Sequence, residues 1–130
     1  MSGPFLLDSD VLIWHLRGNQ KVVEHVNALA SRGEILVCAV SRAEVLLGMR
    51  QGEETTTRRL LNSLRTVVVD DDVADLATAS VREQRARGVT IHLPDALIGA
   101  AAVVSNAELH TCNPSHFLDY EIAVKAVVFS

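Results

Sequence analysis

The chain is poor in cysteine, proline, lysine and aromatic residues, and each shortage excludes something. Its two cysteines, Cys38 and Cys112, lie far apart with no CxxC spacing. Two free thiols are expected, not a disulfide framework or a zinc cluster. Three prolines, with no Pro-, Gly- or Ser-rich break, no linker and no internal repeat, leave the 130 residues as one domain. No apolar run reaches membrane-spanning length; the longest, Ala96 to Val104, is too short. The segment from Met1 to Leu7 lacks the basic start and long apolar stretch of a secretory signal. The cytoplasm is therefore the expected compartment, with no membrane partner. Positive charge is short as well: Lys+Arg is 12 against Asp+Glu 16, a net charge of −4. Taken alone, that balance argues against a protein holding nucleic acid by bulk positive charge.

What is present is ordinary globular material, with 48% hydrophobic and 22% charged residues. Short apolar runs alternate with amphipathic stretches. Phe5-Leu6-Leu7, ending at Asp8, reads as a buried parallel strand. A short helix follows from Ser9 to about Arg17 and another from Lys21 to Ser31. A second strand is expected over Ile35 to Val40, then helices over Ser41 to Met49 and Glu53 to Leu64. Val67 to Val69 is the third expected strand, and a long helix runs from about Val73 to Arg87, stopped by Gly88. Pro94 and Asp95 open an Ala-rich helix to about Ser105. Glu108 to Thr111 and Ala126 to Phe129 complete the strands. The alternation predicts a three-layer α/β fold with a mostly parallel sheet flanked by helices. In such sheets ligands sit beyond the carboxyl ends of the strands.

Acidic residues stand at those ends. Asp8 follows the first strand with Asp10 two residues on, Glu44 follows the second, and Asp95 lies in the first turn of the Ala-rich helix. Each has a structural explanation. Ser41-Arg42-Ala43-Glu44 reads as a capping box, Asp95 after Pro94 suits a helix start, and Asp8 or Ser9 can cap a helix. Together they mean more, because a parallel sheet gathers strand ends on one edge. Carboxylates crowded there repel unless a cation sits among them. Oxygen ligands without a local His or Cys favour a hard ion, Mg²⁺ or Mn²⁺. Such an ion activates water for attack on a phosphodiester without a nucleophilic side chain.

Four segments then carry a family resemblance. Phe5 to Ile13, with Asp8-Ser9-Asp10, resembles the opening motif of PIN-domain nucleases. Ser41 to Gly48 resembles the second motif, Pro94 to Ala100 the third, and Leu109 to Phe117 the fourth, in the family's order. The short single-domain form is most similar to VapC-type toxins. The resemblance implies a PIN-like fold and a Mg²⁺-dependent endoribonuclease (Mn²⁺ substituting) that homodimerises and is blocked by a cognate VapB-type antitoxin. It assigns metal-binding roles to Asp8, Glu44 and Asp95. The fourth acidic position falls at Asn113, where many members carry Asp, so Asn113 is expected to act through water or behind the ligands. Asp10 occupies a place where Asn or Ser is frequent, as an extra ligand or a cap. Ser41 and Thr111 match hydroxyl positions that orient the carboxylates. His116 either touches substrate or packs beside Phe117, with packing the favoured reading.

Other marked residues have plainer readings. Asp70-Asp71-Asp72 precedes a long helix and suits its cap. His92 reads as a loop histidine, with the rim of the site as the weaker alternative. Arg42, Arg50, Arg58, Arg59 and Arg65 either line an RNA groove or form a solvated face. Two other enzyme classes fit badly. A haloacid-dehalogenase-type phosphatase needs a catalytic lysine, and Lys21 comes too early while Lys125 follows every acidic motif. A receiver domain needs an acidic pair after its first strand and a Lys after its last. A catalytically inactive PIN-like binding module is the remaining alternative. Setting aside Asp8, Asp10, Glu44 and Asp95 leaves twelve acids against twelve bases. The acidic balance therefore does not exclude RNA.

Overall fold

The computed structural model describes residues 3–117, 120 and 123–130. Phe5, Leu6 and Leu7 form β1 (Phe5–Leu7) and are fully buried, as a strand covered on both faces requires. Helices α1 (Ser9–Leu16) and α2 (Gln20–Ala30) lead to β2 (Ile35–Cys38). Then come α3 (Ala39–Leu47), α4 (Glu54–Ser63), β3 (Arg65–Val67), α5 (Asp71–Ala86) and α6 (Leu93–Val104). The chain closes with β4 (Glu108–Thr111), a 3₁₀ turn over Pro114–Phe117 and β5 (Val124–Ala126). The five strands lie in the order β3-β2-β1-β4-β5, every pairing parallel. β1 is thus central, between the first strand laid on one side and the first laid on the other. Connections leaving β1 and β4 diverge at that point and open a crevice beyond their carboxyl ends. The three-layer α/β expectation holds.

Period-two alternation divides the core. Leu6, Leu36 and Leu109 pack with Val73, Ala77, Ala101 and Phe117 on one face. Phe5, Leu7 and Val37 pack with Val11, Leu12, Val22 and Leu29 on the other. That second side also takes in a polar chain. His110, only 3% exposed, meets His25 Nε2 through Nδ1 at 2.8 Å and Glu108 Oε1 through Nε2 at 2.8 Å. Burial pushes both imidazoles below their ordinary range, and the buried ring is fully partnered. Among the described residues no helix is long and apolar enough to cross a membrane.

Three element boundaries depart from the sequence pattern. β3 covers Arg65–Val67, while Val68 and Val69 are exposed. Its register, Leu36 opposite Arg65 and Cys38 opposite Val67, is set by the neighbouring strand and not by the most apolar triplet. β5 likewise falls at Val124–Ala126 and not at 126–129. α3 starts two residues before Ser41, capped by Cys38, so Ser41 and Glu44 lie inside the helix and form no capping box. Ala39 and Val40 are apolar and mimic strand; only the pairing of β2 ends it at Cys38. The Asp70 cap is as expected, its Oδ1 accepting from Val73 N at 3.0 Å.

α6 packs through small residues, Gly99 to Ala102 all being buried. A Cβ on Gly99 would overlap the ring of Tyr120, which is anchored by its hydroxyl donating to Ala96 O at 2.7 Å. Alanine gains about 1 kcal/mol of helix propensity over glycine, while overpacking costs about 1–3 kcal/mol. The clash is expected to win: Gly99→Ala should lower stability by roughly 1–2 kcal/mol in urea unfolding. An unchanged or raised midpoint would show that the tyrosine yields.

Candidate metal centre

Asp8 is the first residue beyond β1 and the N-cap of α1. Its Oδ1 accepts from Ser9 N at 2.8 Å and its Oδ2 from Thr111 Oγ1 at 2.8 Å. Only 6% of Asp8 is exposed. Burial first, and then the charge of Asp10, push its carboxyl up to about 7, with a smaller contribution from Asp95; the bonds from Thr111 and Ser9 oppose the rise. A buried carboxylate facing two others is strained electrostatically unless a cation joins it.

The turn after β4 is laced to the turn after β1. Thr111 Oγ1, besides donating to Asp8, accepts from Asn113 N at 3.0 Å. Asp10 accepts from Cys112 N at Oδ1 (3.3 Å) and from Asn113 Nδ2 at Oδ2 (2.8 Å). Asp10 therefore ties the two turns together and is not the cap of α1. The Asn113 amide nitrogen is turned toward Asp10. Thr111 bonds the Asp8 carboxylate, whereas Ser41 does not match its expectation. It is fully buried, and its hydroxyl has no hydrogen-bond partner among the described residues.

Asp95 sits in the first turn of α6, with a proline in the same turn. His116 Nδ1 stands 3.4 Å from Asp95 Oδ2. The His116 ring also lies beside Phe117, centroids 6.4 Å apart, so this residue both packs on the phenyl ring and reaches the acid. Glu44 is exposed on α3. The Cys38 thiol is pushed up by burial foremost, and then by the charges of both Glu44 and Asp8. The charges of Glu44 and Asp8 thus both reach this one buried thiol. Cys112 is pushed up to about 12 by burial and by Asp10 and Asp8. Both cysteines are free, as expected, and neither has thiolate character.

Among the described residues no three His, Cys, Asp or Glu side chains converge closely enough to enclose a metal ion. What exists is a rim of three carboxylates, Asp8, Asp10 and Asp95, the last two raising the first by their charge. That donor set fits Mg²⁺, which keeps several waters and takes one or two carboxylates, better than a metal needing a full protein cage. Neighbouring His92, Asp95 and His116 also line a cavity of about 420 Å³ with Gln84, Val89 and Ile91. Gln84 and Ile91 carried no signal in the sequence, since the end of α5 and the start of α6 meet only in the folded chain. His92, the residue before α6, lines this cavity together with Asp95. Arg58 pairs with Glu54 at 3.0 Å, Arg65 with Glu34 at 3.1 Å, and Arg42 Nη2 donates to Asn62 at 2.9 Å. Arg58 and Arg65 are exposed and Arg42 is half-buried, and such exposed pairs contribute little to stability.

The carboxyl-end crevice, its acids and the parallel five-stranded sheet define a class. The chain belongs to the PIN-domain family, whose model matches residues 5–121. It is similar to ribonuclease VapC10 of Mycobacterium tuberculosis, 37% identical over 116 residues, which are 89% of this chain and 87% of that one. It is 30% identical to ribonuclease VapC19 of the same organism over 113 residues, 86% and 90% of the two chains. In three dimensions it resembles a chain of a toxin–antitoxin complex from Klebsiella pneumoniae, with a TM-score of 0.83 and 23% identity, covering 98% of this chain and 100% of that one. That likeness speaks to the fold.

Proposed function

We propose that the chain is a divalent-metal-dependent endoribonuclease, the toxin of a toxin–antitoxin pair acting in the cytoplasm. The observation that carries the reading is Asp8: a buried carboxyl, held by Thr111 and Ser9 and raised by Asp10 and Asp95. PIN membership and 37% identity to a protein named a ribonuclease support RNA as the substrate. Asp8, Asp95 and Glu44 would hold the metal, which we assign as Mg²⁺ with Mn²⁺ substituting. The ion, when bound, activates water for in-line attack on a phosphodiester and offsets negative charge where the phosphate arrives. Thr111 fixes the Asp8 oxygens. The pair Asp10–Asn113 holds the β4 turn against the β1 turn, so the acids face the crevice in one arrangement. His116 stands beside Asp95, where it can exchange a proton with water or substrate. The partners are a VapB-type antitoxin and a second copy of the chain.

The test is cleavage of single-stranded or loop RNA by purified protein, with the ends mapped. Cleavage is expected with Mg²⁺ or Mn²⁺, to stop with chelator, and to fall about a hundredfold or more in Asp95→Ala. Co-expression of the gene encoded beside it should relieve growth arrest. Cleavage that survives both chelator and Asp95→Ala would sink the mechanism. Absence of Mn²⁺ binding would favour the inactive binding module.

A further inference from the structure

The 420 Å³ cavity beside Asp95 has a task that hydrolysis alone does not give it. Its outer wall is the link from α5 to α6. Gly88, at φ 78, ends α5 in a left-handed turn, with Gly88 N donating to Arg85 O at 3.0 Å and Val89 N to Gln84 O at 2.9 Å. This pair of bonds is the Schellman arrangement, and it fixes Val89 relative to Gln84 before any ligand arrives. The cavity then presents two aliphatic side chains, Val89 and Ile91, two imidazoles, His92 and His116, and one half-buried carboxamide, Gln84, with Thr90, Ser115 and the Asp95 carboxylate completing the lining.

That combination suits a flat heteroaromatic ring. Aliphatic and imidazole groups cover ring faces, and a carboxamide offers a donor and an acceptor side by side for a base edge. The volume is within the range of small-ligand pockets. Because Asp95 belongs to both the cavity and the carboxylate rim, an occupant lies next to a phosphate held at the rim. We propose that this cavity holds one unpaired nucleobase adjoining the scissile phosphate, with Gln84 reading its edge and His92 and His116 stacking on it. The inference rests on the ribonuclease reading and adds to it a pocket that reads the base beside the scissile phosphate. A side chain of a protein partner is the competing occupant.

The probes are AMP, GMP, CMP and UMP, with ribose 5-phosphate as the sugar-phosphate arm, titrated into the whole protein and followed through the His92 and His116 ring NMR signals. One nucleotide is expected to shift both rings and bind about tenfold more tightly than the others. Gln84→Ala is expected to level that ranking, and RNA cut by this variant should lose the matching base preference at its ends. Equal shifts from ribose 5-phosphate, a ranking unchanged by Gln84→Ala, or shifts produced only by the antitoxin each overturn the proposal. A protein that ranks the nucleotides but cuts no RNA upholds the pocket and sinks the nuclease reading. One that cuts RNA while ignoring the base upholds the nuclease and sinks the pocket.

Discussion

Asp8→Asn is expected to raise the stability of the metal-free protein while abolishing its metal-dependent activity. The Asp8 carboxyl titrates near 7 in the fold against 3.8 ordinarily, mainly because it is buried and then because Asp10 is near. A native group that keeps its proton to higher pH than the unfolded chain makes stability fall as pH rises between those two values. Below 3.8 no penalty exists; above about 7 it is complete, at roughly 4 kcal/mol. Asparagine removes the charge and keeps the geometry. Its Oδ1 still accepts from Ser9 N, and its amide can donate to Thr111 Oγ1. The melting temperature of the metal-free variant at pH 8 should therefore rise by roughly 5–15 °C, with little change at pH 4. Mn²⁺ should stabilise the native protein and leave the variant unmoved, while RNA cleavage falls about a hundredfold or more. A variant whose melting keeps the native pH dependence, or its full response to Mn²⁺, would show that Asp8 is neither the strained acid nor a ligand.

The second large effect concerns Asp10 and Asn113, which meet across 103 residues of sequence. By the motif resemblance alone, Asp10 falls at a place of Asn or Ser and Asn113 at a place of Asp. The Asn113 amide donates to the Asp10 carboxylate across one hydrogen bond of 2.8 Å. Asn113→Asp alone sets two carboxylates against each other and should cost about 1–4 kcal/mol without metal. Asp10→Asn alone removes a charge and should weaken Mn²⁺ binding about tenfold or more. The double exchange restores the pattern. The new amide on the β1 turn donates to the new carboxylate on the β4 turn, the same bond in reverse, and its carbonyl oxygen still accepts from Cys112 N. Stability and Mn²⁺ affinity should then return to within about threefold of the native values, a coupling read by calorimetry and a double-mutant cycle. If the change in the double variant equals the sum of the two single changes, the two residues act independently.

These two cases mark where the sequence stops being readable. Asp8 stood out because its signal is local: a fully apolar triplet, then an acid, then a helix. Asp95 was equally local, next to a proline at a helix start. Ser41 misled for the same reason. S-x-x-E is a local pattern, and it was overruled by the pairing of β2 with β3, which starts α3 two residues early. Edge strands β3 and β5 were misplaced because their position depends on the register offered by a neighbour, not on their own apolarity.

By itself, the sequence determined the alternation of strands and helices, the buried central strand, the Asp70 cap and two of the acids, Asp8 just beyond the first strand and Asp95 in the first turn of its helix. Periodicity, caps and turn residues act over one or two turns of chain, so they are written in consecutive residues. The tertiary structure alone decided that Asp10 faces Asn113 and not a helix end, that Ser41 lies orphaned, that His110 is held by His25, and that Gln84 and His92 share a cavity with Asp95. Those contacts join residues that only the order of strands in the sheet brings together. Their free energy depends on burial and on neighbouring charge, quantities that come into being when the sheet closes and water leaves the crevice.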